Sequence, residues 1–284
     1  MFTRLKAFTP LRALAIAAAL ILTTTMASCG NSTDGEPGGE SDSITIGIKF
    51  DQPGLGQQVG NDYEGFDVDV ARYIANELGY SNIEFVQAQT PQRETMIESG
   101  QVTMIVASYS ITDDRKERVS FAGPYFIAGQ DLLVRSDETS ITGPEDLAGK
   151  KLCSVRGSTS AENLNNDYVD GGAQLQEYDS YSKCAEALAS GAIDVFSTDN
   201  TILAGYAAQE QYQGQFKVVG NTFSEERYGV GIKKGDVELC EDINAAITKM
   251  IEDGEWQKAV DKHFGAANFE PDMSVNPPTP DACS

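Results

Sequence analysis

The sequence has a single histidine, His263, and no cysteines spaced C-x-x-C, so common zinc sites and histidine-based catalytic triads lack their raw material. Positive charge is also scarce. Against 43 Asp and Glu stand 21 Lys and Arg, a formal net charge of −22 that argues against nucleic acid as a partner. No apolar run approaches the roughly 20 residues of a membrane-spanning helix. The run Ala13–Leu22 has 10.

That short run follows Arg4, Lys6 and Arg12 and precedes the small-residue stretch Thr23–Ser28, the layout of a signal peptide over residues 1–28. The sequence Met26-Ala27-Ser28-Cys29 resembles a bacterial lipobox, in which the cysteine is lipidated, although Met stands where Leu is usual. Residues 29–43 then read as a polar, Gly-rich tether between a lipid anchor, such as palmitate on Cys29, and a globular body. This places the chain on the outer face of the cytoplasmic membrane, with the bilayer as one partner. The remaining 256 residues carry 18 bases and 43 acids, a charge of −25, and suit two modest domains; 40% apolar content over the full chain argues against disorder.

Four cysteines remain: Cys153, Cys184, Cys240 and Cys283. In an exported chain four cysteines suggest two disulfides. Three pairings are possible; Cys153 with Cys184 and Cys240 with Cys283 is favoured because each pair lies within or beside one inferred domain. The first bridge closes a loop of about 30 residues, worth roughly 3–4 kcal/mol in the chain-entropy model.

Hydrophobic periodicity gives a strand at Ile44–Ile48 and a helix through Phe66, Val70, Ile74 and Leu78, ended by Gly79. A strand at 83–86, a helix at 92–99 and a strand at 102–107 follow. Pro124-Tyr125 reads as a break, and 132–134 as extended. A second series repeats the order: strand 151–155, helix 161–169, strand 174–177, helix 182–189, strand 193–197 and helix 202–211. Strands at 216–219 and 228–232 and two helices over 237–263, broken near Gly254, complete it. Strands alternating with helices predict an α/β fold with mainly parallel sheets flanked by helices.

In open parallel sheets ligands bind beyond the carboxyl ends of the strands. The polar residues predicted there are Lys49, then Thr90 and Arg93, then Ser108 and Ser110 leading to Arg115. In the second series they are Gly157, Ser158, Thr159 and Asp199. This set is rich in bases although the chain is poor in them. Three cations suit two carboxylates and Asp199 suits an ammonium, which together describe an acidic amino acid. Thr159 and Glu162 have capping-box spacing, so the N-terminus of a helix there is a further carboxylate site. Singly, each cation has an ordinary alternative: a surface pair of Arg115 with Asp113, Asp114 or Glu117, of Arg93 with Glu94, or of Lys49 with Asp51. The acids Asp67 and Asp69 read as a helix N-terminal pair rather than a Ca²⁺ loop. His263 reads as a favourable charge at a helix C-terminus. No metal, cofactor or catalytic constellation is expected.

Several motifs carry a resemblance: Gly65-Phe66-Asp67-Val68-Asp69-Val70, Ser108 to Arg118, Phe121, Pro124-Tyr125-Phe126, Leu147 to Lys151 and Gly191 to Asp194. Over roughly Ile44–Gly265 the chain resembles the extracellular solute-binding proteins of polar and acidic amino acid ABC transporters. The resemblance implies a non-enzymatic, monomeric binding protein that hands its ligand to a membrane permease. It implies two α/β lobes joined by two crossing strands and closing like a hinge: lobe 1 from 44–128 plus 225–270, lobe 2 from 129–224, and a tail at 271–284. Arg115 would grip the ligand α-carboxylate with Ser108, Ser110 and the Thr159 backbone, and Asp199 would bind the α-amino group. Lys49, Thr90 and Arg93 match relatives that take glutamate; aspartate and glutamine are the nearer alternatives. An enzyme built on this fold would have Asp199 as its one obvious acid or base. Two departures stand out. Gln52-Pro53-Gly54-Leu55 occupies the place where the family often has an aromatic cover, and Arg156 stands where a small residue is commoner.

Overall fold

The computed structural model describes residues 42–284; the expected signal peptide, Cys29 and the tether up to residue 41 lie outside it. The chain first forms β1 (Ser43–Ile48), one residue longer at its start than its sequence pattern predicts. It continues through a meander of β2 (Asp51–Gln52), β3 (Gly56–Val59) and β4 (Asp62–Glu64) to α1 (Phe66–Glu77) and β5 (Asn82–Gln87). Then come α2 (Arg93–Glu98), β6 (Met104–Ile105), α3 (Asp113–Lys116) and β7 (Val119–Ala128). The second series has β8 (Gln130–Arg135), β9 (Lys151–Val155), α4 (Thr159–Asp167), β10 (Gln174–Tyr178), α5 (Tyr181–Ala189), β11 (Val195–Asp199), α6 (Asn200–Ala208) and β12 (Phe216–Val218). The chain returns through β13 (Glu226–Lys233) to α7 (Val237–Glu252) and α8 (Glu255–Phe264).

These elements form two lobes, each a five-stranded sheet flanked by helices. The first sheet has the order β5-β1-β6-β13-β7 and the second β10-β9-β11-β8-β12. In each, three neighbouring strands are parallel, and one strand, β13 or β8, runs against the other four. The two sheets therefore share a connectivity that sequence shows only as an echo in the order of elements. The chain crosses between them twice, at Gly129 after β7 and again before β13, and these two strands pair antiparallel from Glu226↔Ala128 to Lys233↔Val119.

Two expectations need correction. The break at Pro124 does not occur: β7 runs unbroken through it. The ladder with β13 is irregular there, passing from Val230↔Ala122 to Tyr228↔Phe126, so the proline falls in a bulge that asks no donor of it. The strand predicted at 102–107 shrinks to Met104–Ile105, because Ala107 and Ser108 turn away into the site. The meander β2–β4 had no alternating apolar pattern to betray it.

The first lobe's core closes around Phe66, Phe126, Trp256 and Phe264, whose rings meet at 5.3–6.0 Å, and the Trp256 indole N–H donates to the Tyr125 carbonyl at 2.8 Å. His263 sits in the last turn of α8 with Nε2 2.7 Å from Asp69 Oδ2. The C-terminal tail lies along the free edge of β7. The Asn276 side chain bonds both the N–H and the carbonyl of Ile127, and the Asp281 N–H donates to the Gly123 carbonyl. Covering an edge in this way blocks pairing with another chain. Disulfides join Cys153 to Cys184, between β9 and α5, and Cys240 to Cys283, between α7 and the tail. Replacing Cys153 and Cys184 together by Ala should lower the unfolding free energy by about 3 kcal/mol in denaturant titrations. Unaltered stability would show that the packing of β9 on α5 holds this lobe unaided.

Candidate functional site

The carboxyl ends of β1, β5 and β6 from one lobe face those of β9, β10 and β11 from the other. Between them lies a cavity of about 210 Å³, counting its mouth, lined by Thr90, Arg93, Ser108, Ser110, Arg115 and Ser158 with Thr159, Ser160, Tyr181 and Asp199. All ten sequence-predicted residues lie in or against it, although five different strand ends deliver them.

At one end, Thr90 opens a single 3₁₀ turn after β5 and Arg93 begins α2 directly behind it. Both are buried, as is Lys49, which β1 delivers. Lys49 Nζ donates to Thr90 Oγ1 at 3.1 Å, and Arg93 Nη2 donates to the same oxygen at 3.0 Å. With both its lone pairs engaged, the Thr90 hydroxyl is left to donate. Burial and the neighbouring Arg93 charge pull the Lys49 ammonium down to about 8. The ordinary alternative for Lys49 is present alongside, with Asp51 Oδ1 at 4.0 Å. Arg93 does not pair with Glu94. Its guanidinium lies over the Tyr109 ring, 4.8 Å from the centroid, and its buried Nε has no hydrogen-bond partner among the described residues.

Arg115 occupies the middle. Thr112 caps α3 by accepting from the Arg115 N–H at 3.2 Å. The guanidinium is aimed by two carbonyls, Ser110 at 2.7 Å in its own lobe and Gly157 at 3.2 Å in the other. Its carboxylate neighbour is not Asp113, Asp114 or Glu117 but Glu94, 3.9 Å from Nε, which also accepts from the Tyr109 hydroxyl at 2.5 Å. The facing element is the N-terminus of α4, where Gly157 turns the chain at φ 73°. Ser158, not Thr159, is the N-cap: its Oγ accepts from the Ala161 N–H at 3.0 Å. That frees Thr159 Oγ1 to donate to Glu226 Oε2 at 2.8 Å and to lie 3.5 Å from Ser110 Oγ. The capping-box spacing misassigned the cap because two hydroxyl residues stand side by side.

Asp199 holds the other end, buried between β11 and α6. Its oxygens accept from Ser160 Oγ at 3.2 Å and the Tyr228 hydroxyl at 2.5 Å. Burial, then the nearby Glu226 charge, pushes its carboxyl up to about 7. Sequence reasoning missed Glu226 and Tyr228, which arrive on β13 far along the chain. It also missed Tyr181, although the strand-end rule applied to β10 would have found it. Tyr181 lines the cavity with Lys49 Nζ 5.2 Å from its ring centre, so the aromatic surface comes from the second lobe while Gln52, in the expected place, is buried 2.9 Å from Ser108 Oγ. Arg156 faces solvent beside Glu177 at 3.8 Å and is not part of the site.

Ser108 is held at φ 44°, a left-handed conformation that costs a non-glycine residue about 1–3 kcal/mol. Asp67 holds it there: Oδ2 accepts the Ser108 N–H at 2.7 Å and Oδ1 accepts the Tyr125 hydroxyl at 2.8 Å. Burial raises the Asp67 carboxyl to about 6. The acid that sequence placed at a helix start is thus a support for the turn that carries Ser108 and Ser110.

A cleft with cations at one end, an acid at the other and a helix N-terminus between them calls for comparison with known proteins. The family model of bacterial extracellular solute-binding proteins, family 3, matches residues 44–266. The chain belongs to this family. It is similar to the glutamate-binding protein GluB of Corynebacterium efficiens, with 44% identity over 93% of this chain and 92% of the relative. It is 34% identical to the ABC transporter glutamine-binding protein GlnH of Bacillus subtilis over 84% and 91% of the two chains. Among solved structures it resembles an ancestral arginine-binding protein bound to arginine, with TM-score 0.74 and 35% identity over 79% of this chain and 99% of that one. These relatives are binding proteins by name, and the described residues of this solute-binding protein include no helix long and apolar enough to cross a membrane. Replacing Asp67 by Ala orphans two buried donors at about 1–3 kcal/mol each, so the melting temperature of the solute-binding protein should fall by several degrees. A melting temperature equal to wild type would remove Asp67 from this supporting role.

Proposed function

We propose that the protein captures glutamate outside the cell by closure of its two lobes and delivers it to the permease of an ABC transporter. The observation that carries this reading is the pair of buried cations, Lys49 and Arg93, sharing the Thr90 hydroxyl at one end of the polar cleft between the lobes. In this reading they receive the side-chain carboxylate. Arg115, the Ser108 and Ser110 groups and the Gly157-to-Thr159 turn receive the α-carboxylate. Asp199 receives the ammonium. Similarity to the glutamate-binding GluB supports the substrate. Glutamine is the second reading, supported by the similarity to GlnH, but an amide leaves two desolvated cations uncompensated. The protein is proposed to act as a monomer, without catalysis, anchored by a lipid on Cys29 after removal of residues 1–28. Its lobes are proposed to span 44–128 plus 225–270 and 129–224, with the tail at 271–284.

Replacing Arg93 by Ala should weaken glutamate about tenfold to a hundredfold by calorimetry, the loss of about 1.5–3 kcal/mol for a charged hydrogen bond. Glutamine should suffer less. Equal losses for the two would take Arg93 out of side-chain recognition.

A pH optimum follows from the two shifted groups. A guest with a side-chain carboxylate favours protonated Lys49, which burial pulls down to about 8, so glutamate affinity should fall as pH rises through that value. An ammonium favours ionised Asp199, which titrates at about 7, so affinity should also fall as pH drops through that value. Calorimetry in buffers of differing ionisation enthalpy should find proton uptake on binding near the upper limit and release near the lower. A flat affinity across both limits would contradict both assignments.

A further inference from the structure

Beside the ligand cavity, behind Tyr181, the lobes touch at a second place. The turn after β1, Asp51 to Pro53, belongs to the first lobe and lies against the N-terminus of α5 and the middle of α6 in the second. Asp51 Oδ2 accepts the backbone N–H of Tyr181, the first residue of α5, at 3.0 Å. Ser180, at the N-cap position of that helix, makes no side-chain cap bond. The cap of α5 therefore comes from the other lobe. The Asp51 carbonyl also accepts the hydroxyl of Tyr206, a buried residue of α6. Beside it stands Gly205, inside α6, where glycine is a poor helix former. A Cβ built on Gly205 would lie 2.0 Å from the Pro53 carbonyl oxygen, a backbone atom that no rotamer change can move.

We propose that Asp51 and Gly205 are positioning residues for ligand capture: together they form an interlobe latch that caps α5 and seats Pro53 only when the lobes are closed. This rests on the reading of capture by closure and adds to it a pair of residues outside the cavity lining. Each of the three contacts joins one lobe to the other, so a separation of the lobes at this place would break them. In the separated state water takes the place of Asp51 at α5 and of the carbonyl at Tyr206, so the latch biases closure without touching the ligand. It is also wired to the cationic end. Asp51 Oδ1 lies 4.0 Å from Lys49 Nζ, and Lys49 in turn lies over the Tyr181 ring. The residue that receives the guest's side chain and the residue that caps the far lobe thus share one turn of chain.

The test compares wild type with Gly205→Ala, Asp51→Ala and Asp51→Asn, using glutamate as the probe. Because alanine is the better helix former, Gly205→Ala should leave the ligand-free melting temperature unchanged or higher. It should nevertheless release glutamate about tenfold faster in stopped flow, with association changed little, and its glutamate-bound form should be less compact by small-angle scattering than the wild-type complex. Asp51→Ala should also speed release. Asp51→Asn should fall between it and wild type, because the amide oxygen can still accept from Tyr181. Wild-type release rates in both alanine variants would overturn the latch while leaving capture of glutamate intact, and so would a loss in Gly205→Ala that tracks a drop in its ligand-free melting temperature. A wild-type protein that ignores glutamate would instead overturn the capture reading and the latch with it.

Discussion

Bringing Lys49, Arg93 and Arg115 together out of water is the constraint around which the site is built. Like charges at close quarters repel, and burial removes the solvent that would screen them. The chain manages this with neutral or aromatic partners rather than a full set of acids. The Thr90 hydroxyl accepts from two of the cations, the Tyr109 ring lies beneath both guanidiniums, and two carbonyls orient Arg115. Asp51 and Glu94 stand at 4.0 and 3.9 Å, close enough to moderate the charge but outside hydrogen-bond range. In a chain with a net charge of −22, the gathering of three bases is what sets this end of the site apart from the rest of the surface.

The fold supplies the geometry for this concentration. Both sheets place three parallel strands side by side, and the strand order reverses next to the first of each set, so adjacent connections leave on opposite faces. Strand ends in such sheets carry loops that can face a ligand. Two lobes of the same connectivity set two such ends against one another. The antiparallel pair β7 and β13 ties the lobes at one side, and β13 also brings Tyr228 and Glu226 under the cleft. The strands that join the lobes thereby contribute to the chemistry at the Asp199 end.

Much of this was legible in sequence because it depends on local pattern. Alternating strand and helix signals marked the α/β class, and residues at or soon after strand ends face the cleft, which is why Lys49, Thr90, Arg93 and Asp199 could be named. What escaped depends on long-range geometry. Asp67 looks like any acid at a helix start until the left-handed Ser108 is placed against it. Glu226 gives no sign that it lies near Asp199, and Pro124 reads as a break unless the bulge between β7 and β13 is known. Thr159 and Ser158 are both competent caps, and only the path of the chain from Gly157 decides between them.

The division of labour between the lobes has a further consequence for an amino acid held as proposed. Lys49, Thr90 and Arg93 all belong to the first lobe, so the side-chain carboxylate can be recognised before any closure. The α-carboxylate is shared, because Arg115 comes from the first lobe and the α4 N-terminus from the second. The ammonium belongs to Asp199, in the second. A dicarboxylate without an amine can therefore dock on the first lobe, yet it gives the buried Asp199 no compensating charge when the lobes meet. On the proposed reading closure, rather than first contact, is the step at which the amine is read. Selectivity for an α-amino acid then resides in the difference between the open and closed states, and every interlobe contact that shifts that balance shifts affinity for all guests alike.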